Sequence, residues 1–154
     1  MTETARIVDQ LRRAHDGPAW HGPSLREALD GVTAEQAAAR PVPGAHTIRE
    51  IVLHLAAWED ALRRRLEGER TDEPAEGDWP AAAGEGEAGW AELLGTLGER
   101  QRRLRDAAAR LDDAQLDAAP YEGTFTRYVT LHGEVQHTLY HAGQIVLLRK
   151  ALNG

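Results

Sequence analysis

Apolar residues recur along the chain at spacings of three, four and seven in separate stretches, the pattern of amphipathic helices that pack on one another. The first stretch begins near Thr4, carries Ile7, Val8 and Leu11 on one side, and is interrupted by Gly17-Pro18. It resumes after Gly22-Pro23, where Ser24 and Glu27 have the spacing of a capping box and Leu25, Ala28 and Leu29 follow. Residues 3–30 therefore read as one helix with a break. Thr33 and Gln36 repeat the capping signal, but Pro41, Pro43 and Gly44 soon end that turn and predict an ordered connector. Thr47 with Glu50 opens the second long helix, whose Ile48, Ile51, Val52, Leu55, Leu62 and Leu66 form a core-facing stripe.

From Gly68 to Gly89 the chain turns acidic and rich in Gly, Ala and Pro, without periodicity, and is long for a helix connection; Trp79 within it is an anchor or a wall in waiting. Trp90, Leu94, Leu97, Gln101, Leu104, Ala108 and Leu111 then alternate steps of four and three, although Gly95 and Gly98 each cost about 1 kcal/mol against Ala in a helix interior. A polar connector through Pro120 and Gly123 leads to a last helix over roughly 128–152. The expectation is all-α: one domain over residues 1–154, most simply an up-and-down four-helix bundle, with the one long connection permitting another order.

Composition narrows the chemistry. A chain of 154 residues can bury one core, and 42% apolar with 28% charged residues is ordinary for a globular domain. There is no cysteine, so any metal must be held by nitrogen and oxygen. A net charge of -7 disfavours nucleic acid as a partner; the arginine runs at 63–65 and 100–105 fall in predicted helices that spread them around the cylinder. No stretch approaches the ~18 apolar residues of a membrane span, and the first residues lack the basic start and apolar run of a leader, so a cytoplasmic location without membrane association is expected.

The last helix carries the chemistry. At about 100° per residue, Glu134, His137, His141 and Gln144 share roughly a quarter of the circumference, and Ile145, Leu148 and Leu152 continue that stripe. Imidazoles four apart can converge on one ion, and His54, at the edge of the second helix's apolar stripe and one turn from Trp58, is the natural third ligand. Three imidazoles leave a fourth position open, the coordination of a reactive metal, with Glu134 and Gln144 available to orient ligands or Glu134 to act as a base. Spacing alone does not separate this reading from one in which the histidines are packed core residues. His132, on another side of the helix with Val135, Leu139 and Val146, reads as packing against a further helix or subunit; His46 reads as a loop residue, and His21 as a residue that could approach the pocket, as could Trp58.

The segments HGEVQHTLYHAGQI and PGAHTIREIVLHLAAWE, with HGPSLREAL and AAARPVPGAHT, resemble the DinB-like family and its YfiT-type relatives over most of the chain. The resemblance implies a four-helix bundle, typically a homodimer, that binds one divalent ion such as nickel or zinc through three histidines, here His54, His137 and His141. Some branches are transferases of low-molecular-weight thiols such as bacillithiol or mycothiol, others are described as metal-dependent hydrolases, and the family name implies no nucleic-acid binding. The residues leave three functions open: metal-dependent thiol transfer, metal-dependent hydrolysis, and a non-catalytic bundle braced by its metal.

Overall fold

Helix starts follow local side-chain chemistry. In the computed structural model, which describes residues 1–81 and 84–153, Ser24, Thr33, Thr47 and Asp112 each accept a hydrogen bond from the backbone N–H three residues on, while Glu27, Gln36, Glu50 and Gln115 accept one from the cap's own N–H. Ala82 and Ala83, in the expected long connection, and Gly154, at the end of the expected domain, lie outside the described residues. Among the described residues seven helices result: α1 Glu3–Asp16, α2 Leu25–Leu29, α3 Ala34–Ala38, α4 Ile48–Leu66, α5 Gly86–Ala109, α6 Asp113–Leu116 and α7 Arg127–Leu152. The described residues contain no strand. The break expected after α1 is real: Gly17 takes φ 83°, a left-handed conformation that glycine adopts without strain, and its N–H bonds the Arg13 carbonyl. The segment read as a polar connector after α5 contains the single turn α6.

The four long helices form a bundle whose order uses the long connection. Arg49, at the start of α4, donates to the Gly84 carbonyl just before α5; Arg100 reaches Ala56 O at 2.9 Å in mid-helix; Arg110 meets Glu67 at 2.7 Å beyond both helix ends. Neighbours α4 and α5 therefore run parallel, and the chain must return along the bundle between them. Its path is pinned stepwise, with Arg65 and Tyr121 on Thr71 O, Arg100 on Glu76 and His54 on Asp78 O. Helices α1 and α7 run the other way, giving up, down, down, up.

The core lies in two apolar bodies. One joins Ile48, Ile51 and Leu55 to Trp90, Leu97, Ile145 and Leu148; the other joins Ile7 and Leu11 to Leu62, Leu66, Leu104 and Leu131. Between them a polar layer crosses every long helix: His15 on α1, Glu59 on α4, Gln101 on α5, Glu134 and Thr138 on α7, all buried. On the α7 side bearing Val135 and Leu139 both residues are half-buried and line a groove with Gln10, Arg13 and Ala14 of α1. The stripe left outward is a different one, with Val129, Tyr140 and Leu147 exposed. No helix among the described residues is long and apolar enough to cross a membrane.

One long-range cap ties the start of α1 to α6. The Asp113 carboxylate accepts from the N–H groups of Glu3 and Thr4 and from the Thr4 hydroxyl, at 2.9, 2.9 and 2.8 Å. Those backbone bonds, with the Thr4 hydroxyl, hold its pKa below the usual carboxylate value. The stabilisation is complete above the unfolded pKa of about 3.9 and disappears as pH falls through the lower folded value. Asp113→Ala is therefore expected to melt at a lower temperature than the native chain at pH 7, and the two melting curves, followed by circular dichroism, should draw together as the pH falls below the unfolded value of about 3.9.

Candidate metal centre

Two helices and one loop bring the predicted histidines together. His54 projects from the first half of α4, whose start is fixed by the Thr47–Glu50 box, and His137 and His141 project one turn apart from α7. Ring centroids lie 4.7 to 4.9 Å apart in all three pairs, and the nearest ligand atoms all fall within 4.8 Å of one another. His54 and His141 are buried and His137 is half-buried.

Each imidazole has an oxygen against its Nδ1. His54 Nδ1–H donates to the Asp78 carbonyl at 2.6 Å, His141 Nδ1–H to the Gln144 amide oxygen at 2.6 Å, and His137 Nδ1–H to Glu134 Oε2 at the longer distance of 3.4 Å. With the proton on Nδ1, every Nε2 turns a lone pair inward. The Nε2 atoms of His54 and His137 stand 2.8 Å apart, a separation that two imidazole nitrogens keep only with a shared proton or a metal cation between them. The donor set and its outer supports fit a divalent metal.

Protonation follows the surroundings. Burial pushes the His141 pKa down to about 4, the Gln144 bond opposing it and the neighbouring rings of His137 and His54 reinforcing it. Burial likewise lowers His54, against the Asp78 carbonyl. At His137 burial is outweighed by the hydrogen bond and charge of Glu134, and the shift is upward. Two of the three rings are thus held neutral, the form in which imidazole binds a metal.

Glu134 and Gln144 both stand where the stripe on α7 puts them, in contact with a candidate ligand. Glu134 is fully committed there. Its Oε1 accepts from Thr138 at 3.0 Å, its Oε2 faces His137, and the residue is 2% exposed, so it orients a ring and offers no base to solvent. Behind it the polar layer continues: Arg105 Nη1 donates to His15 Nδ1 at 3.0 Å, which leaves the His15 proton on Nε2, 3.3 Å from Thr138 Oγ1 and 3.0 Å from Glu59 Oε1. Glu59 is wholly buried, and burial raises its pKa, with the Glu134 carboxyl adding to the rise against His15. Sequence reasoning missed His15 and Glu59. Each interrupts an apolar stripe, Leu11 to His15 and Leu55 to Glu59 to Leu62, and that interruption was the available signal.

The long connection is part of the site. Trp79 lies between two imidazoles, 3.5 Å from His46 and 4.1 Å from His54, nearly parallel to both. His46 is a loop residue, as its position before the helix cap implied, and is held by Glu50 at 3.2 Å. Trp58 acts on the loop: its indole N–H donates to Asp78 Oδ1 at 2.7 Å while its ring meets His54 edge-on at 6.4 Å. His21 is a correction. It is exposed beside Trp20 over α1, with Asp9, Val135 and Leu139, because the turn at 17–24 carries it to the opposite side of α7.

A helical bundle with three imidazoles turned to one point defines a class of bundle able to hold a metal ion between its helices. A family model of the DinB superfamily matches residues 9–145, and the chain belongs to that superfamily. A search among curated proteins found no match. A solved structure with the same fold is a conserved protein from Enterococcus faecalis, at TM-score 0.71 and 19% identity, covering 98% of this chain and 97% of that one.

The supports make a graded expectation. Gln144→Ala should weaken zinc binding about 10- to 100-fold in a chelator competition, because the His141 ring loses its orienting acceptor. Gln136→Ala, exposed on the same helix, should leave affinity unchanged; equal affinities for the native chain and Gln144→Ala would count against the outer support.

Proposed function

We propose that the chain holds one divalent ion, zinc or nickel, on His54, His137 and His141 and is a metal-dependent transferase that takes a low-molecular-weight thiol as co-substrate. The observation that carries this reading is the convergence of three Nε2 atoms, each with its Nδ1 opposed by an oxygen, beside an open cleft lined by His141. Nitrogen-only ligation suits zinc and nickel. A divalent ion bound there supplies Lewis acidity that favours the thiolate form of a small thiol.

The chain's own residues do the rest. Asp78, Glu134 and Gln144 fix the rings, and Trp79 closes one face of His54 to water. In the transfer the thiol sulfur bonds to an electrophilic centre of the acceptor, the leaving group takes its bonding electron pair, and the thiol proton passes to solvent. Hydrolysis is the second reading. Both Glu134 oxygens are occupied elsewhere, so the general-base role that Glu134 would have in hydrolysis is unsupported, and thiol transfer is the reading proposed first.

Elemental mass spectrometry of the untagged protein should find one ion per chain, absent from the His137→Ala, His141→Ala double variant. No stoichiometric metal after reconstitution would overturn the site. In the cobalt-loaded protein, a small thiol should shift the visible spectrum and add to 1-chloro-2,4-dinitrobenzene; a spectrum indifferent to every thiol tried removes the transferase reading and leaves the metal one.

A further inference from the structure

Beside the histidines lies a cleft of about 450 Å³, inside the ~300–1,000 Å³ range of small-molecule sites. Its walls come from four parts of the chain: Val42 in the connector before α4, Ile51 on α4, Trp79 in the long loop, and Tyr140, Leu147 and Leu148 on α7. His141 and Gln144 also line it, so the cleft meets the candidate metal centre through a shared residue. Among the described residues no Asp, Glu, Lys or Arg lines it. Four of the nine most exposed large hydrophobic residues, Val42, Trp79, Tyr140 and Leu147, are on its wall, a concentration of exposed apolar surface of the kind that marks a binding site.

We infer that this cleft binds an uncharged, largely apolar small molecule, with its polar end toward His141 and Gln144, and that this molecule is the acceptor in the proposed transfer. The orientation rests on the metal reading; the binding does not. Apart from the ion, an anionic ligand would find only His46 among the lining side chains, and His46 is already paired with Glu50, so burying the charge against Val42, Leu147 and Leu148 costs more than the contact returns. A cationic ligand would find no lining carboxylate to pair with. The thiol, which in free form carries charge or many hydroxyls, would approach from solvent, and the apolar walls would serve the second reactant.

N-phenyl-1-naphthylamine and its 8-sulfonate, 1-anilinonaphthalene-8-sulfonate, share one skeleton and differ by one charge. Titrated by fluorescence into metal-loaded and into chelator-treated protein, the neutral probe should bind both and, in the chelator-treated form, about tenfold or more tighter than the sulfonate. Val42→Asp and Leu147→Asp, on opposite walls, should each weaken the neutral probe about tenfold or more, since each sets a charge against it. Val129→Asp, on the exposed face of α7 outside the cleft, should not. Equal affinity for the two probes in the chelator-treated protein, or neutral binding indifferent to both wall variants, overturns the proposal. Metal content measured on the same samples separates the two readings. Probe binding that follows the walls in a chain that never holds metal would sink the metal centre and leave the cleft, whereas a full metal site with indifferent probes would do the reverse.

Discussion

Polar groups buried in the middle of a helical bundle must be hydrogen-bonded, and that requirement organises this molecule. Between two apolar bodies, His15, Glu59, Glu134 and Thr138 occupy positions that a bundle built only for stability would fill with leucine. An unsatisfied group there costs about 1–3 kcal/mol, so a run of matched donors and acceptors through the layer matters. One such run crosses it: Arg105 gives to His15, His15 faces Thr138, Thr138 gives to Glu134, and Glu134 receives His137, while Glu59 Oε2 and Gln101 Nε2 stand outside it without a hydrogen-bond partner among the described residues. The layer therefore ends by fixing the tautomer of a candidate ligand, and the orientation of His137 is set from the far side of the bundle.

The other two rings are governed by shorter means. Gln144, one turn on from His141, supplies its acceptor within α7, an interaction available to any helix with that spacing. His54 depends on the long connection, which supplies a backbone carbonyl at Asp78 and an indole face at Trp79. This connection exists because α4 and α5 run parallel, and a chain joining parallel neighbours must travel back along them. Helix order and site completion are thus one constraint: an antiparallel α4–α5 pair with a short turn would leave His54 without its acceptor.

Much of the helix content was legible because caps and periodicity are local. Thr47 with Glu50 and Ser24 with Glu27 announced starts that the structure uses, and the stripe from Glu134 to Gln144 named the side of α7 that meets His54. Single-turn α6 carried the same kind of signal in Asp112 and Gln115, hidden in a segment without an apolar stripe. The order of the helices was not legible, since arginines at 49, 100 and 110 reach their partners across the fold and no local pattern marks them. Nor was the Asp78 carbonyl, because every residue has one. His21 went astray because a turn of eight residues decides which side of α7 its side chain meets, and spacing along the chain says nothing about that.

The shape of the site also bears on what reaction it can host. A catalytic carboxylate must be able to exchange a proton with a substrate or with water. Glu59 is wholly buried and Glu134 nearly so, each facing protein groups, and burial raises the Glu59 pKa while tying it to its neighbours. Their effect on chemistry passes through the His137 ring, as orientation and negative charge behind a ligand. What faces the cleft is aromatic and aliphatic, with His46, His141 and Gln144 as its polar groups. A molecule bound from that side meets no carboxylate able to take its proton, so a proton lost there would leave to solvent. The placing of both carboxylates behind the candidate ligands, with apolar residues in front, is the feature of the fold on which the proposed thiol transfer leans.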